Sequence, residues 1–275
     1  MDSSELTVPI EVHRGDHAII CKGVRAGRTV AIKKVNVESC QARFGNDLNH
    51  RNVVPFLGCC GPRHELPYMI SEWMSNGNAR VYARKNADKN VDFSILPEGL
   101  IYLHSQSPPI IHGGLKASNI LIDADGTARI TDFALASIAA DVQTGSRPPP
   151  MRWSAPEVLE GDNHEVSSDM YSYACVILEI ITDADPFSKY NHLYRLHRLI
   201  REGLRPEFPQ SELAWRRGLT NPECALWKLM HECWAPHPER RPTAVQARDR
   251  MLEIWSERRA RARVQGVGGA IATVI

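Results

Sequence analysis

The chain has 275 residues, a formal net charge of +1, 43% hydrophobic and 24% charged residues, an ordinary globular composition with room for one large domain or two packed lobes. There is no basic excess for nucleic acid, no apolar run near the roughly 18 residues that span a bilayer, and no basic start or apolar core of a signal peptide in residues 1–5, so a cytoplasmic protein is expected. The seven cysteines are scattered, with Cys59 and Cys60 adjacent and no spaced C-x-x-C pair, which favours buried free thiols over a disulfide framework or a zinc site.

Leu6 to Val12, Ala18 to Cys21 and Thr29 to Val35 are short apolar runs punctuated by Gly15, Gly23 and Gly27, a pattern that predicts a three-stranded antiparallel meander. In the third strand, period-two alternation puts Ala31 and Lys33 on one face. Val35 to Leu48 reads as a helical segment interrupted by Gly45-Asn46. Further strands are expected at Phe56 to Gly58, entered through His50 to Val54, and at Tyr68 to Met74. Ser75-Asn76-Gly77-Asn78 is a turn, and a polar segment follows through Asn90. Pro97 suits only the first turn of a helix, so a short one is predicted at about Glu98 to Ser105, some 12 Å long at about 1.5 Å per residue.

Ile110 to Ile122 reads I-I-H-G-G-L-K-A-S-N-I-L-I: an apolar strand, a polar turn presenting His112, Lys116 and Asn119, and a second apolar strand. From Asp169 onward, Met170, Tyr173, Ala174, Ile177, Leu178 and Ile181 recur at three- and four-residue spacing, the mark of a buried helix face. Leu193 to Ile200, Ala225 to Cys233 and Ala244 to Trp255 add three helices between proline-rich turns. The tail from Arg258 carries four arginines and then a Gly/Ala/Val stretch, which is expected to be a frayed helix end and a disordered terminus.

Seven motifs follow one another in a familiar order. They are V-A-I-K ending at Lys33, E-W-M at Glu72 to Met74, H-G-G-L-K-A-S-N from His112, D-F-A from Asp132, S-A-P-E ending at Glu157, S-D-M-Y-S-Y-A around Asp169, and E-R-R-P-T around Arg241. In that order they resemble a protein kinase domain, closest in flavour to the tyrosine-kinase-like group of Ser/Thr kinases. The resemblance implies an α+β, two-lobed fold over residues 1–257: a small β-rich lobe to about residue 72, a hinge at about 72–76 and a larger helical lobe from about 77, with 258–275 as a tail.

It also implies roles. Lys33 pairs with nucleotide phosphates; Gly15, with His13 and Ala18 at the other glycine positions of the phosphate loop, approaches them; Ala31, Glu72 and Met74 border adenine. Asn119 and Asp132 hold magnesium, and Lys116 steadies the transferring phosphate. A helix glutamate should pair with Lys33, and Glu38 is the one glutamate placed for it. Glu157 and Arg241 form a buried pair, and His112, Phe133 and Asp169 are internal packing and hydrogen-bonding residues. The duller alternatives are a solvated strand-end lysine at Lys33 and ordinary turn chemistry at Asn119 and Asp132.

The departures set the function. Gly114 stands where the resemblance places the catalytic aspartate, and glycine cannot accept the proton of an attacking hydroxyl. Ala134 replaces the glycine after Asp-Phe, two phosphate-loop glycines are missing, and Gly113 replaces an arginine that would bind a phosphorylated activation loop. A phosphate on Thr144 or Ser146 would have Arg147 and Arg152 as local partners. Losing a general base costs about 10²- to 10⁴-fold in rate, or roughly 3 to 5 kcal/mol. The expectation is a pseudokinase that binds ATP weakly with Mg and partners an unidentified protein, with no nucleic acid or membrane partner. The alternatives are an active Ser/Thr kinase or a truncated, non-functional product.

Overall fold

Five strands at the N-terminal end pair into one antiparallel sheet in the computed structural model, which describes residues 10–14, 18–35, 48–60, 68–86, 96–133, 150–217 and 219–264. They are β1 (Ile10–Arg14), β2 (Ala18–Arg25), β3 (Arg28–Val35), β4 (Phe56–Cys60) and β5 (Tyr68–Glu72), in the order β1-β2-β3-β5-β4. The expected meander is present with different limits: β2 continues through Gly23, which pairs with Val30, to Arg25. The strand ends instead at Ala26-Gly27, both left-handed with φ 48° and 76°, the two-residue turn that matches strand twist. Val30 and Ile32 point into a small core with Ile70, so Ala31 and Lys33 share the opposite face, as alternation requires. The helical segment predicted after Val35 lies outside the described residues up to 47.

Two segments depart from the sequence reading. The polar stretch after the 75–78 turn contains helix α1 (Ala79–Lys85). Asn78 caps it by accepting a hydrogen bond from the Val81 amide at 3.0 Å, and Ala79 and Ala83, one turn apart, bury its inner face. Ile110 and Ile111, expected as a strand, are irregular, and the Ile110 amide instead donates to the Leu103 carbonyl at 3.0 Å. Only the second half of that motif is a strand, β6 (Ile120–Ile122), paired with β7 (Ala128–Ile130).

The short helix α2 spans Leu96–His104, beginning two residues before the predicted start because Pro97 is accommodated in its first turn. Then come α3 (Pro156–Leu159), α4 (Val166–Thr182), α5 (Leu193–Arg201), α6 (Glu212–Arg216), α7 (Ala225–Cys233) and α8 (Ala244–Val264). The main core is built around α4, whose Met170, Tyr173, Ala174, Ile177 and Ile181 are all buried. Glu165 and Ser168 cap α4 reciprocally. α8 runs past Trp255 to Val264, so the first part of the predicted tail is helical. The Arg258 guanidinium stacks 4.5 Å from the Trp255 ring centroid, holding that extra turn to the helix face.

The Glu157–Arg241 pair forms as expected. The guanidinium meets the carboxylate at 2.5 and 2.8 Å and also donates to the Ala235 and Ser167 carbonyls. Among the described residues no helix is long and apolar enough to cross a membrane.

Candidate functional site

The site lies where the five-stranded sheet, the β6–β7 hairpin and the loop before β6 meet. β3 delivers Lys33 and the residue pair after β7 delivers Asp132, and the two side chains form an ion pair in the cleft with 17% and 19% of each exposed. Asp132 has φ of 63°, a left-handed conformation that aspartate tolerates better than most residues. Lys33 is therefore no solvated strand-end lysine. Glu38, the expected partner for it, lies outside the described residues.

The loop from Ile110 to Asn119 is fixed from beneath by buried polar groups. Asp169, on α4, accepts from the His112 amide at 2.8 Å, the Gly113 amide at 2.9 Å and His104 Nε2 at 3.0 Å. Burial alone would push its carboxyl up, but His104, His112 and these donors hold it below the usual carboxylate value, so it stays ionised. The His112 ring is fully enclosed. Its Nε2 lies 3.0 Å from the Thr131 carbonyl and its Nδ1 accepts from the Gly114 amide at 3.2 Å. A carbonyl only accepts, so Nε2 carries the proton and the ring is neutral. Burial lowers the His112 pKa and agrees with that tautomer.

Asn119 closes the loop from the other side. Its Nδ2 donates to the Gly114 carbonyl at 2.8 Å, while its own carbonyl accepts from the Thr131 amide at 2.9 Å, next to Asp132. The Asn119 Oδ1 receives a long hydrogen bond from the neighbouring Ser118 hydroxyl at 3.5 Å, and Asp132 is the nearby carboxylate. Two hard oxygen donors suit Mg²⁺, which is typically held by one or two side chains together with water and phosphate oxygens. Among the described residues, no group of three or more His, Cys, Asp or Glu side chains is placed to hold a metal ion.

Gly114 sits in the middle of this frame with an ordinary backbone conformation. A Cβ placed on it would meet only His112 Nδ1, at 4.0 Å, among the described residues. Lys116 opens the 3-10 turn at Ala117–Asn119 two residues further on. At the end of β5, Glu72 pairs with Val30 of β3, and Ser71 with Ala31. The buried Met74 accepts from the Gly77 amide at 3.2 Å, and Asn76 donates to the Ile122 and Asp123 carbonyls. Asn76 thereby ties the segment after β5 to the end of β6. Gly15 and Ala134 lie outside the described residues, as do Thr144, Ser146 and Arg147. His13 lies in β1 opposite Ile20, and Ala18 opens β2. Arg152, considered as a phosphate partner, is instead committed to the Pro186, Phe187 and Tyr190 carbonyls.

Three contributors escaped the sequence reading: His104, described above, and Glu179 and Arg80. Glu179, buried on α4, accepts from the Ala117 amide at 2.9 Å and the Trp153 indole at 2.8 Å. It ties the loop to the segment before S-A-P-E. Burial pushes its pKa up despite those donors and Arg80 at 3.6 Å. Its one sequence signal is a carboxylate inside the apolar run Val176 to Ile181. Arg80 of α1 extends the network to Asp183 and Asp185 at 3.0 and 2.7 Å.

The family model described as protein tyrosine and serine/threonine kinase matches residues 10–251. The serine/threonine-protein kinase STY17 of Arabidopsis thaliana is 27% identical over 94% of this chain and 46% of its own length. The probable serine/threonine-protein kinases drkA and drkD of Dictyostelium discoideum are 27% and 28% identical over 93% and 87% of this chain, and 41% and 19% of theirs. The chain thus spans less than half the length of each of these relatives.

Proposed function

Because this chain belongs to the protein tyrosine and serine/threonine kinase family, we propose that it is a pseudokinase of the tyrosine-kinase-like type. In this reading it is a regulatory or scaffolding module in cytoplasmic signalling that binds ATP weakly with Mg²⁺ and transfers phosphate poorly or not at all. One observation carries the reading. The supports of the catalytic loop are in place, namely Asp169, His112 and Asn119, while the residue they position is Gly114. A phosphoryl-transfer site works by positioning and electrostatics, and the proton acceptor for the hydroxyl is the part missing here.

When bound, ATP would supply the phosphoryl group and Mg²⁺ would neutralise its charge. The chain's own residues would bind and orient: Lys33 at the phosphates, Gly15 in the loop above them, Ala31, Glu72 and Met74 around adenine, Asn119 and Asp132 at the metal, and Lys116 beside the transferring group. The second reading, an active Ser/Thr kinase, is favoured by the names of the relatives and by the intact frame around Gly114. Radiolabelled transfer from ATP to a generic Ser/Thr protein separates the two. Incorporation no greater than that of a Lys33→Ala control is expected. Incorporation well above that control would establish the active kinase instead.

A further inference from the structure

The Ile110 to Ile122 segment contains no Asp or Glu, and among the described residues the carboxylates packed beneath it are committed elsewhere. Asp169 receives three donors, Glu179 holds Ala117 and Trp153, and Asp123 accepts from the Asp125 and Thr127 amides and from Arg129. Yet the position for a base is preserved in detail. The Gly114 amide and carbonyl are both anchored, its backbone is outside the left-handed region, and the direction of its missing Cβ is open to 4.0 Å among the described residues. On the sheet side of the cleft, the charge of Asp132 is met by Lys33, which lowers the repulsion a second anion would feel.

We propose that the space over Gly114 is a binding site for a carboxylate that comes from outside the chain and serves as the missing base. This deepens the nucleotide-binding reading above and rests on it. Two sources share the chemistry: a free small carboxylate such as formate, or an Asp or Glu side chain of the acceptor protein beside its own hydroxyl. In the step, the acceptor oxygen bonds to the γ-phosphorus as the bond from that phosphorus to the ADP oxygen breaks. The hydroxyl proton passes to the visiting carboxylate, and nothing is oxidised or reduced.

The experiment measures transfer from Mg-ATP to two peptides that differ only in flanking their serine with Asp or with Asn, each with sodium formate or with sodium chloride at equal ionic strength. A free carboxylate should recover part of the about 10²- to 10⁴-fold worth of a general base, so a rise of about tenfold is expected. Formate acting on both peptides identifies the free source; the Asp peptide alone being phosphorylated identifies the acceptor source. Gly114→Asp should transfer without formate, though below a fully equipped kinase because of the altered phosphate loop. Gly114→Val should fill the space and remove the response, with its ATP-induced thermal shift showing that it remains folded. Transfer indifferent to both carboxylate sources, in protein that still shows an ATP-induced shift, overturns the proposal. So does an equal formate response in Lys33→Ala or Gly114→Val. A chain showing no ATP-induced shift overturns the nucleotide-binding reading and this inference together.

Discussion

His112 shows how a single enclosed ring sets both the shape of the site and its response to pH. Neutral, it receives the Gly114 amide and donates to Thr131; protonated, it would lose its acceptor. Burial depresses its pKa below the ordinary 6.5, so its stabilising contribution is complete above that value. As pH falls, the unfolded chain takes up the proton first, and stability is lost until the folded pKa is passed, at no more than about 1.4 kcal/mol per pH unit for one group. Burial shifts His50, His164 and His231 the same way, while the raised Glu179 acts in the opposite direction nearer the carboxylate range. The melting temperature should therefore fall between pH 7.5 and 5.5, and more shallowly in His112→Gln than in the unmodified protein. Parallel curves for the two proteins would show that His112 does not carry this dependence. Lys33, His112, Asn119, Asp132 and Asp169 were legible in the sequence because each sits in a fixed-spacing motif. His104 and Glu179 were not, because their roles come from packing between elements far apart in the chain.

Helix α2 illustrates what the element scale adds. Its brevity was legible from Pro97, but the reason Gly99 follows was not. A Cβ on Gly99 would lie 2.7 Å from the Asn52 carbonyl oxygen and 2.7 Å from Ile130 Cδ1, so α2 lies directly against the chain entering β4 and against β7. The same contact region contains the Asn52–Ile130 and Val54–Ile130 backbone hydrogen bonds, which lead to Thr131 and Asp132. Gly99→Ala should cost about 1 to 3 kcal/mol by overpacking, despite alanine being the better helix former. Chemical denaturation that leaves the midpoint unchanged or raises it would disprove the close approach. α1 was missed because its fully buried residues are only Ala79 and Ala83, too small a signal for periodicity, and its start depends on the Asn78 cap. The end of α8 was placed too early because arginine-rich sequence reads as solvated, whereas Arg258 covers Trp255.

Across the whole molecule, the sheet brings Lys33 to Asp132, and the helical part fixes the loop that carries Gly114. This division was readable from motif order, since each motif marks one station along the fold. The contacts that weld the parts together, such as Arg80 to Asp183 and Glu179 to Ala117, involve residues outside those motifs. The account holds that nucleotide binding survives while the chain supplies no base of its own for transfer, and binding can be measured by itself. A ligand that binds only the folded state raises the melting temperature by mass action. If the residues proposed to contact adenine and phosphate do so while the phosphate loop is altered in sequence, affinity on the order of 0.1 to 1 mM is expected, corresponding to about 4 to 5.5 kcal/mol. The decisive measurement is a thermal-shift titration of the purified chain with ATP, with and without Mg²⁺, alongside Asp132→Asn. The account predicts a saturable rise in melting temperature that is larger with Mg²⁺, and an Asp132→Asn variant that keeps the ATP response but loses its dependence on the metal. A response indifferent to Mg²⁺ in the unmodified chain, or no response at millimolar ATP, would contradict it.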